Sequence, residues 1–230
     1  MLKQHDILKK FVLGVKMELA NSLLVIGRAG TGKTETILNS LKDLKLKEDT
    51  HYKFINNYSS PLELYNILRN VNDLQDPKIL VIDDGEEILN STRSVGILRS
   101  ALWSTPDGIR KVCWSSTSSK VETQSFEFKG RVIFLGNKLN LKSSLIQALV
   151  SRGLYYHLEM ENSEMLELIK ERSEKPFRKL TTSQRKKIVS YIGEVGKFSD
   201  KLTLRTLTQA YQLFILSPNH WRELLGKTLK

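Results

Sequence analysis

Short apolar runs alternate with helical periodicity along the first 160 residues of the chain. Two stretches between the first three runs, residues 33–44 and 61–71, repeat apolar residues at helical spacing. Almost wholly apolar strands that are separated by helices are typical of a parallel sheet buried on both faces. The five predicted strands are LLVIG (23–27), YKFIN (52–56), ILVID (79–83), RVIFLG (131–136) and LYYHLE (154–159).

The pattern changes near residue 160, where helical segments follow one another without an apolar run between them. Both ends of the chain are therefore expected to be helical, around an α/β core. We predict an N-terminal amphipathic helix over residues 1–20, the core over 21–160 and a small helical lid domain over 161–230. The predicted lid helices are residues 163–171, 183–192, 202–216 and 218–229.

The N-terminal pattern indicates a helix and not a targeting segment. It has no secretory apolar region with a small-residue cleavage site, and Asp6 and Glu18 interrupt its positive charge. A mitochondrial presequence is the weaker alternative. The apolar stripe of the predicted helix consists of Ile7, Phe11, Val12, Val15 and Leu19.

Residues 104–130 are less regular than the rest of the predicted core. STPDG is a turn signal, and KVCWSS and SFEFKG resemble short β segments on either side of the polar link TSSKVETQ. The pattern predicts either a hairpin that projects from the core or an ordinary surface loop.

Composition narrows the functional classes. The 230 residues carry a net charge of +11, which indicates a polyanionic partner or simply a basic surface. Cys113 is the only cysteine, so an intrachain disulfide is excluded. An intracellular setting is expected, in the cytoplasm or nucleoid, or in the cytoplasm of the host cell if the protein is viral. No apolar run is long enough to cross a bilayer, so no membrane association is predicted.

The segment GRAGTGKT, residues 27–34, matches the phosphate-binding pattern G-x-x-x-x-G-K-[ST] between a predicted strand and a predicted helix. Its backbone N–H groups can wrap phosphates, and the helix N-terminus adds positive potential. Lys33 is expected to reach the β- and γ-phosphates of ATP, and Thr34 to coordinate Mg²⁺. The predicted nucleotide-binding residues are Gly27, Arg28, Ala29, Gly30, Thr31, Gly32, Lys33, Thr34 and Glu35.

Acidic residues end the third predicted strand, in the segment ILVIDDGEEI. Asp83 is expected to hold Mg²⁺ together with Thr34. Asp84 is placed to polarise the attacking water, although aspartate is one methylene shorter than glutamate. Glu86 and Glu87 are alternatives for that role, or they form only the acidic first turn of a helix.

In this order of motifs the chain resembles the AAA+ ATPases, particularly clamp-loader or initiator-type and mobile-element or viral members. RVIFLGNKLN supplies Asn137 as the family's "sensor 1", and SSLIQALVSRGLYYHLEM supplies Arg152, which would reach a neighbouring subunit's nucleotide. DKLTLRTLTQAYQLF supplies Arg205 as "sensor 2". The resemblance implies the sheet order 5-1-4-3-2, Mg-dependent ATP hydrolysis and a hexamer-like ring or helical filament.

One departure from the family concerns the residue after the metal-binding aspartate. The family usually has glutamate there, whereas this chain has Asp84. The replacement puts the rate of hydrolysis in question more than nucleotide binding, since losing a catalytic carboxylate contact costs roughly 10²–10⁴ in rate.

Basic clusters favour DNA as the substrate, in replication or recombination. The segment RSEKPFRKLTTSQRKK, residues 172–187, carries seven basic residues and one acidic residue. Such clusters neutralise phosphates, and an aromatic residue can stack on a base. The predicted nucleic-acid residues are Lys111, Trp114, Lys120, Arg178, Lys179, Arg185, Lys186 and Lys187.

Two other functions stay open. A protein remodeller is one, although NNYSSPLEL has Tyr58 but no glycine where threading members carry a pore loop. A nucleotide-gated scaffold that hydrolyses ATP slowly is the other, and Asp84 favours it. A protein partner is possible in either case.

Overall fold

The computed structural model of the chain describes residues 3–56, 60–103, 108–114, 124–196 and 202–228. The chain forms two compact units. The sheet unit contains Ile7–Gly27 and Lys33–Leu158, and the helical unit contains Met1–Asp6, Arg28–Gly32 and Glu159–Lys230. One division of the chain falls after Leu158, and the middle of the phosphate loop groups with the C-terminal helices. The N-terminal helix is divided between the units, with its residues up to Asp6 in the helical unit and those from Ile7 in the sheet unit.

Five parallel strands form the main sheet. They are β1 (Ser22–Gly27), β2 (Tyr52–Ile55), β3 (Ile79–Ile82), β6 (Arg131–Gly136) and β7 (Leu154–Leu158), and β4 (Lys111–Cys113) and β5 (Ser125–Glu127) form a separate pair. The order β2-β3-β6-β1-β7 is the predicted order 5-1-4-3-2 once the separate pair is left out of the count, so the predicted fold is confirmed. Every residue of β1, β3 and β6 is buried, which explains their continuous apolar runs.

Helices cover the sheet and complete its core. They are α1 (Lys3–Lys16), α2 (Lys33–Asp43), α3 (Pro61–Val71), α4 (Glu86–Asn90), α5 (Thr92–Leu102) and α6 (Ser144–Val150). Ser60 caps α3 by accepting a hydrogen bond from the backbone N–H of Glu63 at 3.2 Å. From Ile7 onward α1 belongs to the sheet unit, where Val12 and Val15 are fully buried. Leu19 is 76% exposed instead, because α1 ends before it.

The described residues between α5 and β6 include two short antiparallel strands. This pairing is expected for the hairpin alternative and not for an ordinary surface loop. β4 and β5 pair antiparallel, with Val112 opposite Phe126. Phe128 is buried at the base of the pair, and the Arg110 guanidinium lies 5.3 Å from its ring centroid. Arg110 also donates to the carbonyls of Gly130 at 2.7 Å and Ala101 at 3.3 Å. The pair is therefore anchored to the sheet unit by buried contacts.

Four helices, α7 (Asn162–Ser173), α8 (Thr182–Gly196), α9 (Leu204–Leu216) and α10 (Trp221–Thr228), form most of the helical unit. Thr181 and Gln184 cap α8 reciprocally, through hydrogen bonds of 2.8 and 3.2 Å. Trp221 is at the centre of the apolar core, packed edge-on against Tyr191 and Phe214. In the part of the chain that the structure describes, no helix combines the length and apolarity needed to cross a membrane.

Candidate functional site

The phosphate loop follows β1 and leads into α2. Gly30 and Gly32 have φ of +75° and +84°, a region that other residues rarely adopt, so the motif's glycines are needed for the backbone path. Gly27 is needed for a different reason. It pairs with Leu158 of β7, and a Cβ atom at Gly27 would lie 2.4 Å from the Leu158 carbonyl oxygen.

Lys33 is the first residue of α2, and its side chain is buried within the sheet unit. Its Nζ donates to the Gly27 carbonyl at 2.6 Å and to Asn137 Oδ1 at 3.3 Å. Asn137 directly follows β6, the strand next to β1 in the sheet. The structure thus brings together the predicted phosphate-binding lysine and the predicted sensor asparagine.

The two predicted metal ligands also meet. Thr34 Oγ1 donates to Asp83 Oδ2 at 2.8 Å, and Asp83 is 7% exposed at the end of β3. Burial raises the pKa of the Asp83 carboxyl above its ordinary value, the Thr34 hydrogen bond opposes this rise, and the charge of Asp84 adds to it. A hydroxyl and a carboxylate are the hard oxygen ligands that Mg²⁺ prefers, so this pair fits such an ion.

Asp84 lies at the exposed edge of the same cluster. Its Oδ1 accepts a hydrogen bond from Asn137 Nδ2 at 3.2 Å, and its backbone has a φ of +49°. Aspartate tolerates that left-handed region better than most residues. Glu86 contacts Asn137 as well, since its Oε1 accepts the backbone N–H at 2.5 Å. Glu87 is exposed. Lys33, Asn137, Asp84 and Glu86 therefore form one connected network.

The middle of the phosphate loop makes its contacts inside the helical unit. Arg28 donates to the Leu202 carbonyl at 2.5 Å, and the Gly30 carbonyl accepts the backbone N–H of Leu204 at 2.9 Å. A Cβ atom at Gly30 would lie 2.6 Å from Thr203. The residues before α9 are therefore packed closely on the loop, a non-local contact that the sequence pattern did not reveal.

His5 also holds the loop within the helical unit. Its Nε2–H donates to the Thr31 carbonyl at 2.9 Å, while Nδ1 is buried with no hydrogen-bond partner among the described residues. Burial lowers the pKa of His5, and the charge of Arg172 lowers it further. A single histidine carries no spacing signal, so the sequence pattern did not reveal this contact.

Arg152 and Arg205 lie outside the network around Lys33. Arg152 follows α6 and donates to the carbonyl of Ala148 in that helix, and burial together with the charge of Arg99 lowers its pKa. Arg205 is exposed in the first turn of α9, without a hydrogen-bond partner in the described ranges. Their roles toward a nucleotide stay predictions.

The predicted nucleic-acid residues fall into two groups. Arg185 is buried and donates to the carbonyls of Ser173 and Leu180 at 2.9 and 2.7 Å, and Trp114 is half-buried against Tyr65. Arg185 continues the buried positions of α8 at Ile188, Val189 and Ile192, a helical spacing that could have marked it as a core residue. The exposed residues are Lys111, Arg178, Lys179, Lys186 and Lys187.

Two residues used in the sequence argument, Lys120 and Tyr58, lie outside the described residues.

Comparison with known proteins gives one relative by sequence. No family model matches the chain. An uncharacterised 36.7 kDa protein from the nrdC–mobD intergenic region of Enterobacteria phage T4 is 28% identical to it. That match covers 96% of this chain and 72% of the phage protein.

Solved structures give the fold. A RuvB variant from Thermotoga maritima matches 97% of this chain and 67% of its own, with a TM-score of 0.55 and 14% identity. AMPPCP-bound DnaA from Aquifex aeolicus matches 96% of this chain and 63% of its own, with a TM-score of 0.56 and 12% identity. A replication initiator DnaA bound to AMPPCP and single-stranded DNA matches 97% of this chain and 63% of its own, at a TM-score of 0.50 and 14% identity. The chain has the fold of these proteins, in line with the resemblance that its motifs carry.

Proposed function

We propose that this protein is an ATPase that binds Mg-ATP through the phosphate loop, assembles into an oligomer and acts on DNA. The observation that carries the nucleotide part is the convergence of Lys33, Thr34, Asp83 and Asn137 within the sheet unit, through hydrogen bonds of 2.8 and 3.3 Å. They come from three places that are distant in sequence: Lys33 and Thr34 begin α2, Asp83 follows β3 and Asn137 follows β6. The AMPPCP named for the two DnaA structures supports a nucleotide as the ligand.

The residues divide the work by their chemistry. Lys33 supplies a positive charge for the phosphates of ATP. Thr34 and Asp83 would hold Mg²⁺, which neutralises charge on the phosphates during transfer. Asn137 and Asp84 are placed side by side, so they would orient the water whose oxygen bonds to the γ-phosphorus while the bond to ADP breaks.

Turnover tests this assignment. We expect wild-type protein to release phosphate from ATP in the presence of Mg²⁺, and Asp83→Asn to lose most of that activity because its amide holds the ion poorly. Glu87→Gln, which removes a nearby exposed charge, serves as the control and should keep wild-type turnover. An Asp83→Asn variant as active as wild type would refute the site.

DNA is the proposed substrate because four exposed basic side chains of the helical unit lie close together in sequence, within residues 178–187. Arg178, Lys179, Lys186 and Lys187 are exposed, and the net charge of the chain is +11. Such a group attracts a polyanion and releases its counterions. One of the DnaA structures is named as bound to single-stranded DNA, which agrees with this substrate class. Arg185 and Trp114 are left out because their side chains are engaged inside the protein.

Salt dependence tests the DNA surface. We expect ATP-dependent binding to single- or double-stranded DNA whose logarithmic salt slope falls by about 1–2 in the double variant Lys186→Ala/Lys187→Ala, since each lost phosphate contact removes about 0.7–0.9. Lys42→Ala/Lys47→Ala, which removes two exposed lysines of the sheet unit, should keep the wild-type slope. Equal slopes for both double variants would contradict this surface. Strong binding to a protein and none to DNA would favour a remodeller.

A further inference from the structure

Glu86 links the ends of two neighbouring strands of the sheet unit. It is the first residue of α4, three residues after Asp83, and its Oε1 accepts the backbone N–H of Asn137 at 2.5 Å. β3 and β6 are paired in parallel, so the segments after them leave the same edge of the sheet. A carboxylate that accepts an N–H forms a charge-assisted bond, which is about twice as strong as a neutral one.

The bond fixes the residue whose side chain joins the proposed phosphate and water sites. From the same Asn137, Oδ1 accepts from Lys33 Nζ at 3.3 Å and Nδ2 donates to Asp84 Oδ1 at 3.2 Å. These two contacts use both ends of the side-chain amide, and neither involves Glu86. Glu86 therefore restrains the backbone of Asn137 and leaves the Asn137 side chain to contact Lys33 and Asp84.

A second observation comes from Gly136, the last residue of β6. A Cβ atom at Gly136 would lie 3.3 Å from Glu86 Oε1, which is tighter than an ordinary contact. The glycine therefore leaves the room that the carboxylate occupies. Glu87 shows that this arrangement is specific to one acid of the pair. It occupies the same helical turn but is exposed, and it has no hydrogen-bond partner among the described residues.

We propose that Glu86 is a positioning residue that holds Asn137 in register with Lys33 and Asp84, and that it is not the base that activates water. The inference rests on the proposed ATPase function. If Glu86 only positions Asn137, an uncharged side chain that accepts the same N–H should preserve hydrolysis. If Glu86 were the base, the same substitution would abolish hydrolysis.

Steady-state hydrolysis of ATP by five variants tests the proposal. Glu86→Ala should lower kcat by about 10–100-fold, the usual effect of removing a residue that orients a catalytic group, with KM unchanged. Glu86→Gln keeps an accepting oxygen and should stay within about threefold of wild type. Glu87→Ala should match wild type. Adding Asn137→Ala to Glu86→Ala should cost no more than Asn137→Ala alone, because the two residues act as one unit.

Amide hydrogen exchange at Asn137 provides a readout that does not depend on turnover. We expect the Asn137 N–H to be protected in wild type, Glu86→Gln and Glu87→Ala, and to exchange at least about tenfold faster in Glu86→Ala. If no protein hydrolyses ATP but this pattern holds, the proposed function fails and the positioning contact stands. Glu86→Gln as inactive as Glu86→Ala, or Asn137 exchange unchanged in Glu86→Ala, would overturn the proposal.

Discussion

At the scale of single residues, Asn137 connects most of the candidate chemistry. Its side chain meets Lys33 and Asp84, and its backbone N–H meets Glu86. The Thr34–Asp83 hydrogen bond lies in the same unit and would be exchanged for metal contacts when Mg²⁺ binds. Changes in side-chain length at these positions should therefore alter the rate of ATP hydrolysis more than the stability of the fold.

Asp84 offers a test of reach. If the short side chain limits the polarisation of water, Asp84→Glu should raise turnover, whereas Asp84→Asn should lower it by about 10²–10⁴. Phosphate release under saturating ATP measures both, with Glu87→Gln as the control. Unchanged turnover in Asp84→Asn would assign the catalytic role to a different group.

His5 predicts a pH dependence of stability. Burial lowers the folded-state pKa of His5 below the ordinary value of 6.5, and Arg172 lowers it further, whereas the Thr31 hydrogen bond, Glu171 and Asp6 oppose the change. As pH falls through 6.5 the unfolded chain binds the proton first. Stability present above that pH is therefore lost as pH falls toward the folded-state pKa.

Urea unfolding at about pH 7.5 and about pH 5.5 measures this loss. His5→Gln should lose less stability between the two conditions than wild type does, because its side chain does not titrate. His220→Gln changes an exposed histidine and should behave as wild type. An equal loss in His5→Gln and wild type would remove His5 as the cause.

At the scale of secondary structure elements, the hairpin pair β4–β5 depends on one buried cation. Arg110 is 7% exposed, and burial together with the neighbouring Arg131 lowers its pKa to about 10, so its guanidinium stays charged at neutral pH. Its two backbone contacts satisfy the carbonyls of Ala101 and Gly130. Arg110→Met should lower the free energy of unfolding by about 2–3 kcal/mol, since those buried acceptors lose their partner.

Urea denaturation provides the measurement, and Lys111→Met is the matched control. Lys111 is the next residue along the chain and is exposed, so its replacement should change stability by less than about 0.5 kcal/mol. Equal effects of the two substitutions would show that the anchor contributes nothing.

The sequence anticipated these elements wherever local pattern decides structure. Fully buried strands such as β1 and β3 produce continuous apolar runs, and these runs predicted the positions of the strands. Their order in the sheet was implied by the family resemblance and not by the local pattern. The hairpin stayed undecided because β4 and β5 are only three residues long and just one of their six residues, Val112, is buried. The contacts of Glu86, His5 and Thr203 depend on how distant segments meet, and no spacing in one sequence encodes that.

At the scale of the whole molecule, the proposed oligomer rests on Arg152. Its described hydrogen bond is to Ala148 of the preceding helix, α6, and not to the network around Lys33. If Arg152 completes a neighbour's site, Arg152→Ala should bind ATP normally yet lose about 10³–10⁵ in turnover.

Mixing two inactive variants tests this directly. Arg152→Ala keeps an intact nucleotide site, whereas Asp84→Asn keeps the arginine, so neighbours in a mixed oligomer complement each other. An equal mixture should recover about a quarter of wild-type turnover, since half of the sites are intact and half of their neighbours carry Arg152. No recovery in a mixed oligomer would place Arg152 outside the neighbouring site.

The most direct test of the account is a calorimetric titration of Mg-ATP into wild type and Lys33→Ala, with Lys42→Ala as a control for loss of one exposed lysine. Lys33 Nζ is buried beside Gly27 and Asn137. Among the described residues, no second cationic side chain contacts these two groups, so none can take over from Lys33. We expect saturable binding to wild type and to Lys42→Ala, and affinity at least about tenfold weaker, a loss of about 1.4 kcal/mol or more, in folded Lys33→Ala. Equal affinity in Lys33→Ala, or no binding to wild type, would contradict the proposed nucleotide site.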